Sequence, residues 1–169
     1  MTNVLYPSKC EVIRITRDRN LIKATFNIHG HDLSFVTPGK YLGATLTDNL
    51  SWNAHVDGIT KRANNTLGFL RRNLARCPRD TKALCCTSLI RPTTEYASTA
   101  WDPHTSRNIN QLEAVQRRAA RFVMGDYKTT SSTSQMICHL RWDSLQQRIR
   151  WDSLQQRRTN SRSSSSKQP

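Results

Sequence analysis

The residue types that support catalysis or metal binding are sparse in this sequence and do not cluster. It has 12 acidic residues, no two of them adjacent, whereas two-metal phosphoryl transfer requires carboxylates that meet around a pair of cations. Cys85–Cys86 and Cys138–His139 lack the second pair that a zinc site needs, and His29 and His31, in a predicted turn, are a weak alternative. No nucleophile elbow, phosphate-binding loop or dinucleotide fingerprint is present. The sequence therefore predicts no catalytic residue, no metal site and no cofactor.

Arginine is the chemically distinctive residue of the chain. It accounts for 19 of the 26 basic residues, and the formal net charge is +14. Guanidinium groups suit bidentate contact with phosphate, and self-repulsion at this net charge destabilises a compact chain unless a polyanion offsets it. We therefore expect a nucleic-acid partner that is bound through its phosphates, without recognition of the base sequence.

Rigid elements must position these cations, and the clearest is a predicted helix over residues 106–125. Its apolar residues recur every three or four positions and share one face; they are Ile109, Leu112, Val115, Ala119, Phe122 and Val123. Four cations fall within about 100° on the opposite side; they are Arg107, Arg117, Arg118 and Arg121. Thr105 or Ser106 can cap the start, and Gly125 suits a left-handed end. An ordinary solvated polar face is the alternative interpretation of these arginines.

A second basic helix is predicted earlier in the chain. After Asp48 the apolar residues recur about every 3.5 positions as far as Arg76, and Pro78 follows. This apolar stripe consists of Trp52, Val56, Ile59, Ala63, Leu67, Leu70 and Leu74. Four cations lie off the stripe, namely Lys61, Arg62, Arg71 and Arg72.

Shorter elements complete the prediction. Residues 1–46 alternate like short antiparallel strands; the candidates are Cys10–Thr16, Ala24–Ile28, Leu33–Val36 and Tyr41–Leu46. A helix after Pro78 is expected to bury four residues, Leu84, Cys85, Leu89 and Ile90. Pro92 interrupts it, and short helical turns follow over Thr93–Trp101. Ser132 and Gln135 resemble a capping box, which predicts a helix that ends near Leu140.

The C-terminal part contains a tandem duplication. R-W-D-S-L-Q-Q-R occurs at Arg141–Arg148 and again at Arg150–Arg157. In one continuous helix a period of nine places the copies about 180° apart. Both copies therefore cannot serve the same core surface, and at least one of them is surplus. Residues 159–169 are rich in serine, which predicts a disordered tail.

The sequence also bears on the compartment of the protein. No apolar stretch is long enough to span a membrane, and the first residues do not resemble a signal peptide. The five cysteines are odd in number and irregularly spaced, which favours free thiols in a reducing compartment. We expect an intracellular protein of the nucleus or cytoplasm, neither secreted nor bound in a membrane.

Four segments carry a family resemblance. They are Y-L-G-A-T-L-T-D-N-L-S-W-N-A-H-V, T-L-G-F-L-R-R-N-L, L-I-R-P-T-T-E-Y-A-S-T-A-W-D-P-H and L-E-A-V-Q-R-R-A-A-R-F-V. Together they resemble the reverse transcriptases (RNA-directed DNA polymerases) of non-LTR retrotransposons, the jockey-like group in particular. The resemblance extends from about Pro7 to Trp142. It covers the last palm strands and the thumb-like helical region of such a polymerase.

The resemblance implies roles for a few residues. Pro7–Cys10 resembles the late palm motif whose lysine approaches the incoming nucleotide, which implies that position for Lys9. Tyr41, Leu42 and Gly43 resemble the primer-grip turn that holds the end of the growing strand. The helices from Trp52 to Phe122 would correspond to the thumb, which lies along the template–primer duplex. The implied partner is an RNA–DNA hybrid or a duplex.

The sequence also departs from the family. The catalytic aromatic-x-Asp-Asp motif, which requires Mg²⁺ in the parent enzymes, has no match in this chain. Tyr6 stands where the family usually has asparagine, and Arg141 where it usually has glycine. The resemblance thus implies a truncated, catalytically incomplete copy, for which the rest of a reverse transcriptase is a further candidate partner.

The sequence as a whole predicts an α+β chain in four parts. A small antiparallel β-sheet, the palm remnant with the primer-grip-like hairpin, occupies residues 1–46, and a helical thumb-like bundle occupies residues 47–140. The duplicated segment, 141–158, and the tail, 159–169, follow. The expected function is non-specific binding of the template–primer backbone by the eight helical cations, without polymerase activity of its own. The alternatives are a transposon relic with no selected function and a helical protein–protein adaptor, which would expose apolar patches instead.

Overall fold

The computed structural model describes residues 6–16, 24–101, 104–145 and 147–148. Within these ranges the chain is α+β, with several helices and short strands. Its contacts divide it into two compact units, residues 1–55 and residues 56–169. The second copy of the repeat and the predicted disordered tail lie outside the described residues.

The first unit contains short strand pairs. Pro7–Lys9 forms a single 3₁₀ turn, and the strands that follow are β1 (Glu11–Val12), β2 (Asn27–Ile28), β3 (His31–Asp32), β4 (Ser34–Phe35), β5 (Gly39–Tyr41) and β6 (Ala44–Leu46). Antiparallel pairs join β2 to β3 and β5 to β6, whereas β1 pairs with β4 in parallel. Each strand has two or three residues.

The sequence predicted a single antiparallel sheet. This prediction is wrong for the described residues, whose strands form three separate two-stranded sheets. His29 (φ 50°) and Gly30 (φ 83°) make a tight turn between β2 and β3, and β3 occupies residues predicted to belong to that turn. Alternation of apolar and polar residues identifies extended segments but not their pairing partners. The parallel pairing of β1 with β4 is a long-range contact that this pattern cannot encode.

The helices begin with α1 (Asn53–Asn73) and continue with α2 (Arg79–Leu89), α3 (Arg91–Glu95), α4 (Ser98–Trp101), α5 (Ser106–Met124) and α6 (Thr133–His139). α5 confirms its predicted bounds. The Thr105 side chain accepts a hydrogen bond from the amide of Asn108, and Gly125 ends the helix at φ 69°. The Ser132 side chain caps α6 in the same way, by accepting from the amide of Gln135.

The core of the second unit is formed by α1, α2 and α5. Its buried members are Ala63, Leu67, Leu70, Cys86, Ile90, Val115, Ala119, Phe122 and Val123. The apolar stripes predicted for α1 and α5 supply seven of them, and Leu74 packs against the cluster half-buried. The predicted face of α5 is incomplete, because Asn108, Gln116 and Ala120 are buried too, whereas Ile109 is only half-buried.

The predicted core face of α2 is partly wrong. Leu84 and Leu89 are 66% and 49% exposed, whereas Cys86 and Ile90 are buried. The residues that pack are Ala83, Cys85, Cys86 and Ile90, so the prediction holds for Ile90 and for the half-buried Cys85. Leu84 and Leu89 lie on the solvent side of the helix instead.

Candidate nucleic-acid interface

The apolar stripes of α1 and α5 meet in one core cluster, and all but one of the cations of the two helices are exposed. Three contacts along one side of this pair fix how the helices are aligned. The Gln111 side-chain amide donates to the Asp57 carboxylate at 2.7 Å, and the Arg118 guanidinium donates to the Asn64 side-chain oxygen at 3.1 Å. Farther along, the Arg71 guanidinium lies 5.0 Å from the centre of the Tyr127 ring. α1 and α5 therefore run in the same direction.

The spacing of these contacts identifies the outer surface of the pair. Asp57, Asn64 and Arg71 are seven residues apart, as are Gln111 and Arg118, so each set follows one side of its helix. Five cations lie near this line and are exposed, namely Lys61, Arg71, Arg72, Arg107 and Arg118. We call these five side chains the seam cations. Helical geometry places Lys61 and Arg72 within about 60° of Asp57 around α1.

Two of the predicted cations lie farther from this line. Arg62 is about 140° around α1 from Asp57, and Arg117 is about 120° around α5 from Gln111. The Arg117 guanidinium lies 3.5 Å from the backbone carbonyl of Asn110 in its own helix. Both side chains are exposed, so they flank the seam cations and extend the positive surface sideways.

Arg121 has a structural partner of its own. Its guanidinium donates to the backbone carbonyl of Lys128 at 2.8 Å, which ties the last turn of α5 to the loop that follows. Asp126 orders the same loop. Hydrogen bonds from the Ser131 side chain and the Lys128 amide lower the pKa of its carboxyl group, with a smaller contribution from the charge of Arg121. Arg121 is half-buried and is the least available of the eight predicted cations.

The electrostatic balance of the two helices is strongly positive. α1 and α5 together carry eight cations and two carboxylates, Asp57 and Glu113. Arg107 lies 3.7 Å from Asp57, but the two side chains are 65% and 48% exposed. An exposed ion pair of this kind is weak, so Asp57 does little to hold Arg107 in place.

The residues with roles implied by resemblance lie in the first unit, which is described separately. Lys9 ends the 3₁₀ turn, and its ammonium group lies 5.7 Å from the centre of the Tyr6 ring. Leu42 and Gly43 connect β5 to β6 in a two-residue turn with positive φ at both positions, 47° and 81°. Such a turn matches the twist of a hairpin. Tyr41 and Leu42 are 65% and 75% exposed at its tip.

The polar residues that align α1 with α5 are Asn64, Gln111 and Tyr127, and no sequence pattern predicts them. Their signal is weak, because a polar side chain on a solvent face has the same pattern whether or not it bonds across to another helix.

In the described ranges, no group of three or more histidine, cysteine or acidic residues is placed to hold a metal ion. Nor does any helix described there have the length and hydropathy to cross a membrane. Comparisons with protein families, with curated proteins and with solved structures find no match to this chain.

Proposed function

We propose that this chain is a thumb-like fragment of a non-LTR retrotransposon reverse transcriptase that binds the backbone of a template–primer duplex. The observation that supports the proposal most directly is the exposure of the seam cations along one side of the α1–α5 pair. Phosphate contacts of this kind give affinity without base recognition.

The alignment of the two helices suits such a ligand. α1 has 21 residues and α5 has 19, and at about 1.5 Å of rise per residue each extends roughly 30 Å. The phosphates of one strand are a few ångströms apart, so a surface of this length can contact several of them. Arginine predominates among the seam cations, and its planar guanidinium holds phosphate with two hydrogen bonds.

The exposed hairpin turn at Leu42 and Gly43 fits the same proposal independently. An apolar side chain at positive φ and high exposure is costly for the isolated chain. Such a cost is typical of positions that contact a ligand. We propose the primer end as that ligand, on the resemblance of Tyr41–Leu42–Gly43 to the primer-grip turn.

The salt dependence of binding tests the role of the seam cations. The dissociation constant for a fluorescent RNA–DNA hybrid is measured by anisotropy between 50 and 300 mM KCl. With about five phosphates neutralised, log affinity falls with log salt at a slope of about −4 to −5. The double variant Lys61→Gln, Arg72→Gln reduces the magnitude of this slope by about 2.

A matched variant separates local contact from overall charge. Arg76→Gln, Arg79→Gln also removes two exposed cations, but from the connection after α1 and the first residue of α2. We expect its slope to match that of the wild type. Equal slopes for the two double variants would show that net charge alone drives binding, and the proposed interface would then be rejected.

A further inference from the structure

The first copy of the repeated octapeptide docks onto the helices of the second unit. Trp142 packs half-buried against the core cluster, and Leu145 is buried. The guanidinium of Arg148 forms an ion pair with Glu95 at 2.8 Å, and its side chain is only 12% exposed. These contacts recur every three residues and face one groove. We call it the octapeptide groove, and its walls are Cys86, Ile90, Thr94, Val115, Gln116 and Ala119.

A buried glutamine of α5 fixes the register of the docked copy. The side-chain nitrogen of Gln116 donates to the carbonyl of Asp143 at 2.8 Å, and its oxygen accepts from the amide of Leu145 at 3.0 Å. One amide therefore satisfies two backbone groups of the peptide. These bonds require only that the peptide backbone be presented at the correct position.

The docked copy also orders itself. The Ser144 hydroxyl accepts from the amide of Gln147 at 3.1 Å, while the Gln147 side chain accepts from the amide of Ser144 at 3.3 Å. This is the reciprocal pattern of a capping box. Every side chain that contacts the groove or forms this box belongs to the repeated sequence.

Residues 150–157 repeat the octapeptide residue for residue. The second copy thus contains a tryptophan, a leucine and an arginine at the same spacing, with the same serine and glutamine between them. These are Trp151, Leu154, Arg157, Ser153 and Gln156. We propose that the octapeptide groove accepts either copy of the repeat, so that the C-terminal segment exchanges between two registers nine residues apart within one molecule.

The relative population of the two registers depends on the length of the loop that must form before the docked copy. Docking of the second copy requires residues 141–149 to form a nine-residue loop, while the side-chain contacts stay the same. Closing such a loop reduces the population by a factor of about 9 to the power 1.5, roughly 30-fold. Arg141 is exposed and has a positive φ, so the loop can leave the surface at that point. The first copy is therefore the major occupant and the second a minor one.

Three variants of the full chain test the exchange by urea unfolding. The first carries Trp142→Ala, Leu145→Ala and Arg148→Ala, the second carries Trp151→Ala, Leu154→Ala and Arg157→Ala, and the third carries all six changes. If the second copy replaces the first, the first variant loses about 30-fold in its folding equilibrium constant. The third loses on the order of 10³-fold or more, because the groove then has no apolar occupant. The second variant stays close to the wild type.

Equal losses in the first and third variants would show that the second copy never enters the groove, and the proposal would be wrong. If a variant does not unfold cooperatively, a second measurement tests the proposal. Fluorine NMR of 5-fluorotryptophan protein follows Trp151 in the first variant, assigned by its absence from the third. The expected Trp151 resonance shows a reduced solvent isotope shift, as for the half-buried ring of Trp142. A Trp151 resonance with the full shift overturns the proposal, and so does dimerisation of the first variant in sedimentation equilibrium.

Discussion

Cys86 is buried in the core of the second unit, and its burial raises the pKa of the thiol to about 12, with a smaller contribution from Cys85. In the unfolded chain the same thiol has the pKa of a free cysteine, about 8.5. Between these two pH values the unfolded state binds fewer protons than the folded state. The contribution of Cys86 to the free energy of unfolding is therefore intact below about pH 8.5 and falls as the pH rises toward 12.

The raised pKa of Cys86 predicts how the stability of the protein changes with pH. The Cys86→Ala variant is expected to lose less stability than the wild type between pH 7.5 and pH 10, measured as the difference in urea midpoint at the two pH values. Cys138→Ala is the control, since Cys138 is exposed. It should follow the wild type. Identical pH slopes in all three proteins would show that the thiol of Cys86 ionises normally in the folded state.

For single residues, sequence patterns predicted the burial of apolar side chains better than the burial of polar ones. Leu112, Val115 and Phe122 are buried as the helical spacing indicates. The burial of Gln116 was not foreseen, because its partners are backbone groups 27 and 29 residues away. Periodicity describes one helix at a time. A polar residue buried through hydrogen bonds to a distant segment therefore has no signature in it.

Among the elements, the hairpin of β5 and β6 has the most unusual local conformation. Leu42 has φ 47° in its turn, a region that asparagine and glycine adopt more readily than leucine. We expect Leu42→Asn to stabilise the hairpin by about 0.5–1 kcal/mol, since a side chain that is 75% exposed loses little buried area. Amide hydrogen exchange at Tyr41 and Ala44 should slow by roughly two- to fivefold.

Leu42→Val is the matched control, because a β-branched residue is more strained at positive φ and should speed the same exchange. The same variants bear on the proposed primer grip. If Leu42 contacts nucleic acid, Leu42→Asn weakens binding of a primer–template while it strengthens the hairpin. Unchanged exchange rates in both variants would contradict the assignment of strain to this turn.

Helices and strands differed in how far the sequence could predict them. α5 was predictable at both ends, because Thr105 and Gly125 are chemical signals within the helix's own sequence. The segment Cys10–Thr16 was expected to be a strand throughout, yet only Glu11–Val12 pairs, with Ser34–Phe35. A strand of two residues exists only where its partner does. Its bounds therefore depend on contacts that are distant in the sequence.

The whole molecule combines a high positive charge with a sparse set of carboxylates. It has 26 basic and 12 acidic residues. In the described structure several of the acidic residues hold neighbouring segments in place. Glu95 pairs with Arg91 and Arg148, Asp57 with Arg107, and Asp126 orders the loop after α5. Because these carboxylates have separate local partners, we expect the chain to bind nucleic acid without processing it.

A primer-extension assay measures this expectation directly. At a protein concentration that saturates a labelled DNA primer annealed to RNA, we expect no elongation with Mg²⁺ and all four deoxynucleotides. The physical reason is that in-line phosphoryl transfer needs two cations held together by carboxylates, and the aromatic-x-Asp-Asp motif has no match in the sequence. An active reverse transcriptase on the same primer–template is the positive control. Mg²⁺-dependent elongation that copurifies with the chain would mean that its carboxylates meet in a way that neither their spacing nor the described contacts indicate.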